Sequence, residues 1–332
     1  MWRWAWRSAL ASVAVLLVGV AGAAAQPVAC PGACPTADSS EWEYSPPSRG
    51  AGRFGGLAEQ LDPLLEGQVG SWGIAIADVS SDETLFYRAD DQFIAASLYK
   101  LGVLAQVYRE LAAGGMGPNE TVLLTAQDVD EQYGGSAYAA GQSLSLTDAL
   151  DAMITRSDNG VALALVRRLG LNAVNGEFQT LSMPHTRLVD DAWTTPRDQL
   201  SFFRQVARGE VVSASASRSM LDLLARQQIN DRIPAGLPAD GLWKVAHKTG
   251  NWTGSLADSG VVDTPSGAFV LSILSDDVTS YADAVDLFEQ VTLQTYDAFE
   301  GASPAVDPDV PLADRTLCLE PWPGVCPPPE DG

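Results

Sequence analysis

Segments with the pattern of β-strands lie at both ends of residues 56–300 and enclose a middle that has the pattern of helices. The strand-like runs are residues 72–79, 84–88, 243–248, 260–263 and 268–275. Strands that are far apart in sequence can share one sheet when the chain between them packs as a separate layer. The sequence therefore predicts one domain, with a single sheet built from both of its ends and a helical insertion beside that sheet.

The helical segments carry apolar residues at every third or fourth position. The predicted helices are residues 57–65, 97–113, 146–156, 161–169, 197–209, 214–229 and 281–299. An active site would then lie at the seam between the sheet and the insertion.

Ser97 and Lys100 stand at the start of the predicted helix 97–113. Residues three apart on a helix share one face, so both side chains point into the same space. A serine hydroxyl becomes an effective nucleophile when a neighbouring base takes its proton. The chain contains only two other lysines, Lys244 and Lys248, so a lysine at this spacing stands out. Ser97 is thus a candidate nucleophile and Lys100 its base; the alternative is a helix cap followed by a solvated lysine.

Two further motifs follow in the chain, Ser157-Asp158-Asn159 and Lys248-Thr249-Gly250. Taken alone, the first motif is typical of the junction where one helix ends and the next is capped. The second motif alone is typical of an exposed edge strand. The three motifs in this order resemble those of class A β-lactamases and penicillin-binding proteins. The similarity extends over most of residues 56–300.

The resemblance implies an α+β fold of the β-lactamase/transpeptidase type, with an antiparallel sheet flanked by helices plus an all-helical lobe. It also implies acyl transfer: Ser97 attacks the carbonyl carbon of a strained lactam or a peptide amide, and Lys100 accepts the serine proton. Ser157 would relay a proton towards the leaving nitrogen. Lys248 would disfavour protonation of Lys100 and attract the carboxylate of the substrate.

The same resemblance assigns residues to substrate binding. Asn159 would steady Lys100 and contact the side-chain amide of the substrate, and Thr249 would hydrogen-bond its carboxylate. The backbone N–H groups of Ser97 and Asn251 would form the oxyanion hole, where the strand continues past Gly250.

Three more residues have two interpretations each. Tyr133 is either an aromatic wall of the cleft or a loop tyrosine packed on its own lobe. Arg232 either binds the substrate carboxylate, as an arginine in this stretch does in some members of the family, or is a surface charge. His247 replaces the aspartate that the family usually has beside the strand lysine, and we expect it to be structural.

The sequence departs from the family between the second and third motifs. Class A β-lactamases use a glutamate on a loop in this region to activate the water that hydrolyses the acyl-enzyme. Here residues 186–196 pass almost at once into the next helix, and Ala192 stands about where the glutamate is expected. Asp190 or Asp191 could replace it. The alternatives are a D-alanyl-D-alanine peptidase or penicillin-binding protein that deacylates slowly, and a β-lactam-binding module without turnover.

Composition limits the partners. The formal net charge of −22 disfavours nucleic acid and anionic membrane surfaces. The resemblance implies no cofactor and no metal, a small β-lactam or a D-alanyl-D-alanine peptide as substrate, and a monomer.

The ends of the chain predict export. Residues 1–25 have the pattern of a cleaved signal peptide, with Arg3 and Arg7 before an apolar stretch and small residues after it. Residues 26–55 and 301–332 have the composition of tails or linkers, and all four cysteines lie in them. In a secreted or periplasmic protein these cysteines are expected to form disulfides. A lipid or uncleaved anchor is the alternative to cleavage.

Overall fold

The structure is a computed structural model that describes residues 41–189 and 191–301. Its strands are β1 (Trp42–Ser45), β2 (Ser71–Asp78), β3 (Thr84–Tyr87), β4 (Phe93–Ile94), β5 (Thr121–Leu123), β6 (Ser143–Ser145), β7 (Arg187–Leu188), β8 (Ala192–Thr194), β9 (Lys244–Trp252), β10 (Ser255–Thr264) and β11 (Gly267–Asp276). Its α-helices are α1 (Leu57–Leu65), α2 (Lys100–Ala113), α3 (Leu146–Thr155), α4 (Asn159–Leu169), α5 (Leu171–Thr180), α6 (Pro196–Ala207), α7 (Ala214–Leu224) and α8 (Tyr281–Gly301). None of the helices in these two ranges has the length and apolarity needed to cross a membrane.

The main sheet joins strands from both ends of the domain. Its strand order is β1-β3-β2-β11-β10-β9, and every neighbouring pair is antiparallel. β2 pairs with β11 although nearly two hundred residues separate them in sequence. The predicted α+β fold, with an antiparallel sheet flanked by helices plus a helical lobe, is confirmed. β9 is one edge of this sheet, and it carries the Lys-Thr-Gly motif.

Both faces of the sheet are covered, and the sequence of β2 reflects this. Alternate residues of a strand point to opposite faces. Ile74 and Ile76 belong to the core formed with α1 and α8, whereas Ala75 and Ala77 belong to the core formed with the helical lobe. Because both faces are apolar, β2 reads as an almost continuous apolar run, without the polar and apolar alternation of a half-exposed strand.

The expected linker at residues 26–55 differs from the structure in its second half. β1 lies there and pairs with β3 as the far edge of the sheet. The buried carboxylate of Glu83 holds the segment in place, because it accepts hydrogen bonds from the Tyr44 hydroxyl at 2.9 Å and from the backbone N–H groups of Arg53 and Phe54 at 2.8 Å. Composition alone did not indicate these long-range hydrogen bonds.

Other predictions for the ends of the chain stay predictions. The signal peptide at residues 1–25, the four cysteines and the tail beyond residue 301 lie outside the described residues. α8 ends at Gly301, one residue into the predicted tail.

Candidate active site

Ser97 and Lys100 meet at the start of the helical lobe. Ser97 lies in the short 3₁₀ helix Ala96–Tyr99, which leads directly into α2. The Nζ atom of Lys100 is 2.9 Å from the Oγ atom of Ser97. Lys100 is fully buried, whereas Ser97 is half-buried. The structure therefore excludes a solvated lysine at this position and places an amine within hydrogen-bonding distance of the serine hydroxyl.

The junction between α3 and α4 brings two more polar groups to Lys100. Its Nζ atom is 2.6 Å from the carbonyl oxygen of Ser157, 3.1 Å from the Ser157 Oγ atom and 2.6 Å from the Oδ1 atom of Asn159. The Asp158 carboxylate caps α4, accepting hydrogen bonds from the Val161 N–H at 2.9 Å and from the Ser136 hydroxyl at 2.8 Å. The Ser-Asp-Asn motif thus serves both as a helix cap and as a wall of the site.

The third motif approaches from the edge of the sheet. The Nζ atom of Lys248 is 3.0 Å from the Ser157 Oγ atom, so this hydroxyl lies between two lysine amines. A Cβ atom at Gly250 would lie only 2.9 Å from the carbonyl oxygen of Ala95. Glycine is required there because β9 passes directly against the turn that carries Ser97.

Two residues of the site have left-handed backbone conformations. Ala96, which precedes Ser97, has φ 43°, and Ser157 has φ 60°. A non-glycine residue in this region costs about 1 kcal/mol or more, and such residues cluster at functional sites. Such conformations persist only where the surrounding packing holds them, as it does for Ala96 and Ser157.

The two buried lysines have lowered pKa values. Burial, followed by the nearby charge of Lys248, holds the pKa of Lys100 well below its ordinary value, and the Asp158 carboxylate opposes this effect. Burial lowers the pKa of Lys248 to about 7, with Asp258 opposing and Arg232 adding to the shift. A neutral Lys100 can accept a proton, and a charged Lys248 can attract an anion.

Arg232 is fully buried, so its interpretation as a surface charge is wrong. Its guanidinium donates to the Ala257 carbonyl oxygen at 3.1 Å, to the Oδ1 atom of Asn251 at 2.6 Å and to the Tyr281 hydroxyl at 3.1 Å. Asn251 is exposed at the end of β9, while Thr249 is buried in the same strand. Arg232 therefore lies directly behind the exposed end of the cleft strand.

His247 and Asp258 were not recognised in the sequence as a pair. Both are buried, and the Nδ1 atom of His247 is 2.9 Å and 3.1 Å from the two carboxylate oxygens. The expectation that His247 is structural agrees with this burial. A sequence signal for Asp258 existed, because it is a carboxylate within the apolar run of β10.

The segment that departs from the family forms a strand against the site. Ala192 begins β8, and its carbonyl oxygen accepts a hydrogen bond from the Ala95 N–H at 2.8 Å. The Asp191 side chain is exposed and makes no hydrogen bond or ion pair with another described residue. Asp190 and the side chain of Tyr133 lie outside the described part of the chain, and their roles stay predictions.

Comparison with known proteins identifies the family. Residues 56–299 match the sequence model of the β-lactamase enzyme family. The chain belongs to this family. It is 29% identical over 251 residues to a β-lactamase of Streptomyces albus G, and this alignment covers 68% of this chain and 79% of that protein.

Solved structures agree with this assignment. A β-lactamase from Sphaerobacter thermophilus superposes with a TM-score of 0.69 at 26% identity, covering 76% of this chain and 99% of that one. PBP-A superposes with a TM-score of 0.68 at 25% identity, covering 74% of this chain and 96% of that one. The protein is a serine β-lactamase-like hydrolase.

Proposed function

We propose that Ser97 is the nucleophile of this hydrolase and that it is acylated by the amide of a β-lactam. The observation that carries the proposal is the 2.9 Å separation between the Ser97 hydroxyl and the buried amine of Lys100. A neutral Lys100 takes the serine proton as the Oγ atom bonds to the carbonyl carbon. The lowered pKa of Lys100 supports this role, because it keeps the amine neutral at a pH where an exposed lysine is charged.

The proton has a short route to the leaving nitrogen. The Ser157 hydroxyl lies 3.1 Å from the Nζ atom of Lys100 and 3.0 Å from that of Lys248. As the C–N bond of the lactam breaks, Ser157 donates its proton to the nitrogen and is resupplied from Lys100. The positive charge on Lys248, 3.0 Å from the Ser157 Oγ atom, favours release of the Ser157 proton to the substrate nitrogen.

Substrate groups are assigned to the surrounding residues. The backbone N–H groups of Ser97 and Asn251 hold the developing oxyanion. Thr249, the charge on Lys248 and the guanidinium of Arg232 attract the carboxylate. The side-chain amide of Asn159 contacts the amide of the substrate, and Tyr133 lines the cleft.

A second candidate function is that of a D-alanyl-D-alanine peptidase or penicillin-binding protein, in which the acyl-enzyme decays slowly. One observation favours it: no carboxylate of the described residues hydrogen-bonds or forms an ion pair with Ser97, Lys100 or Ser157. Such a carboxylate would be needed to activate the deacylating water. PBP-A is among the similar structures, and a mutant of PBP-A is known as an acyl-enzyme complex with penicillin G.

Intact mass spectrometry after addition of penicillin G tests both candidates. We expect an adduct on the wild-type protein and none on Ser97→Ala. An adduct that disappears as penicillin is consumed supports β-lactamase turnover, and Asp191→Asn then tests whether Asp191 activates the water. A persistent adduct supports the second candidate. If the wild-type protein forms no adduct, β-lactams are not its substrates.

We also propose that the protein is exported and acts outside the cytoplasm as a monomer. The pattern of residues 1–25 supports export. N-terminal sequencing of the protein from its source cells tests cleavage near residue 25.

A further inference from the structure

Two buried residues hold the segment that carries Arg232. The first is Asp258, whose carboxylate accepts a hydrogen bond from the backbone N–H of Ile233 at 3.2 Å. The second is His247, whose Nε2 atom is 3.0 Å from the Oδ1 atom of Asn230. The segment is therefore held through the Asn230 side chain before the arginine and through the Ile233 backbone after it.

His247 and Asp258 are themselves joined and enclosed. Their side chains lie on the same face of the sheet, and the imidazole contacts both carboxylate oxygens. Gly260 lies directly opposite His247 across the strand pair, and a Cβ atom at Gly260 would be 2.6 Å from the Cβ atom of His247. β10 therefore leaves space for this imidazole, and both partners are at most 1% exposed.

The side chain of Arg232 connects this pair to the cleft. Its guanidinium reaches Asn251 on β9, Ala257 on β10 and Tyr281 at the start of α8. Its Nε atom is buried and has no hydrogen-bond partner among the described residues. The guanidinium can keep these three hydrogen bonds only while the backbone of residues 230–233 holds the arginine at the right place.

We infer that His247, held by Asp258, is a positioning residue for Arg232 and thereby sets the affinity of the enzyme for the carboxylate of its substrate. This inference rests on the proposed function. The imidazole spans from the buried carboxylate to Asn230, so its removal frees one side of the segment that carries Arg232. The Arg232 guanidinium, which lies behind Asn251, then moves. Ser97, Lys100 and Ser157 keep their contacts because none of them touches His247.

The test compares penicillin G with its methyl ester, which lacks the carboxylate charge, in wild type, His247→Asn, Arg232→Gln and the double variant. The rate of adduct formation is followed by mass spectrometry. We expect His247→Asn to lower the rate with penicillin G about tenfold, as for one charge-assisted hydrogen bond, and to leave the rate with the ester unchanged. The double variant should be no slower than Arg232→Gln, because His247 acts through the arginine. His185→Asn is the matched control, since its imidazole is exposed and makes no hydrogen bond to a described residue.

Equal losses with both compounds, or effects that add in the double variant, would overturn the inference. A wild-type protein that forms no adduct contradicts the proposed function and not the inference, which is then decided by hydrogen exchange. The Ile233 N–H is bonded to the Asp258 carboxylate that His247 contacts. Its amide should therefore exchange about tenfold faster in His247→Asn than in His185→Asn if His247 holds the segment. Equal exchange in the two variants would refute the positioning role.

Discussion

Replacing Lys248 by methionine should stabilise the fold at pH 7 and abolish acylation. The lysine is fully buried, and its pKa falls from its ordinary value of 10.5 to about 7. Burying a lysine whose pKa is lowered by this amount costs about 4 kcal/mol at pH 7, because the unfolded chain keeps the proton at no cost. Methionine has a similar unbranched stem and carries no charge to desolvate.

The stabilisation is reduced by the hydrogen bonds that the lysine makes. Its Nζ atom donates to the Ser157 Oγ atom at 3.0 Å and to the Thr249 carbonyl oxygen at 2.9 Å. Each bond contributes about 1 kcal/mol to stability. We therefore expect Lys248→Met to raise the free energy of unfolding at pH 7 by about 2 kcal/mol.

The pH dependence gives a sharper test than the value at pH 7. Between pH 7 and 10.5 the unfolded wild-type chain binds a proton on Lys248 that the folded protein lacks, so wild-type stability rises with pH in this window. The variant has no such group at this position. Its advantage should shrink by about 1.4 kcal/mol for each pH unit and vanish about two units above neutrality.

Urea denaturation of both proteins at several pH values measures this difference, with adduct formation as the activity readout. A variant that is less stable than wild type at pH 7 would refute the reasoning. So would a difference in stability that does not change with pH.

Three further predictions follow from the contacts described above. The rate of acylation by penicillin G, measured against pH by mass spectrometry, should rise as Lys100 loses its proton, well below the ordinary lysine range, and fall as Lys248 loses its proton near pH 7. Glu83→Ala should lower the free energy of unfolding by about 3 kcal/mol in urea denaturation, because the Tyr44 hydroxyl and the N–H groups of Arg53 and Phe54 lose their buried acceptor. Gly250→Ala should slow acylation by at least about tenfold and lower the free energy of unfolding by about 1 to 3 kcal/mol, because the added Cβ atom pushes β9 away from the Ser97 turn.

Each of these has a control and a contradicting result. A rate that keeps rising up to the pH of an exposed lysine would contradict the pH prediction. Glu59→Ala, an exposed glutamate in α1, should leave stability unchanged, and an equal effect of the two glutamate variants would show that Glu83 does not anchor β1. A Cβ atom at Gly117 would have no other atom within 4 Å, so Gly117→Ala is the control for Gly250→Ala. If it slows acylation equally, the close approach of β9 to the Ser97 turn does not explain the loss.

The fold was predictable where local pattern and burial agree. The apolar run of β2 predicted a strand, and it is one because both faces of that strand are buried. α5 was not predicted, since its sequence contains two asparagines and a glycine that weaken helix propensity. β1 was missed because four residues of an edge strand carry little signal, and its stability comes from Glu83 and the pairing with β3.

The residues of the site could be predicted from the sequence, but their burial and several of their contacts could not. The motifs pointed to Ser97, Lys100, Ser157 and Lys248, and the structure brings these four side chains together. The burial of Arg232 could not be read from its neighbours, because burial depends on the elements that pack around it. The contact of His247 with Asp258 was equally hidden, since the register of two strands decides which side chains meet.

By itself, the sequence determined the chemistry that depends on neighbouring positions. Ser97 and Lys100 face each other because they lie one helical turn apart, and this holds in any fold that keeps the turn. Only the tertiary structure decided what that pair can do. Ser157 lies 57 residues from Lys100 in the sequence and Lys248 a further 91, and the fold places the amines of both lysines around the one hydroxyl of Ser157. Burial and like charge then lower the pKa of Lys100, and these are properties of the packed site and not of a lysine in a chain.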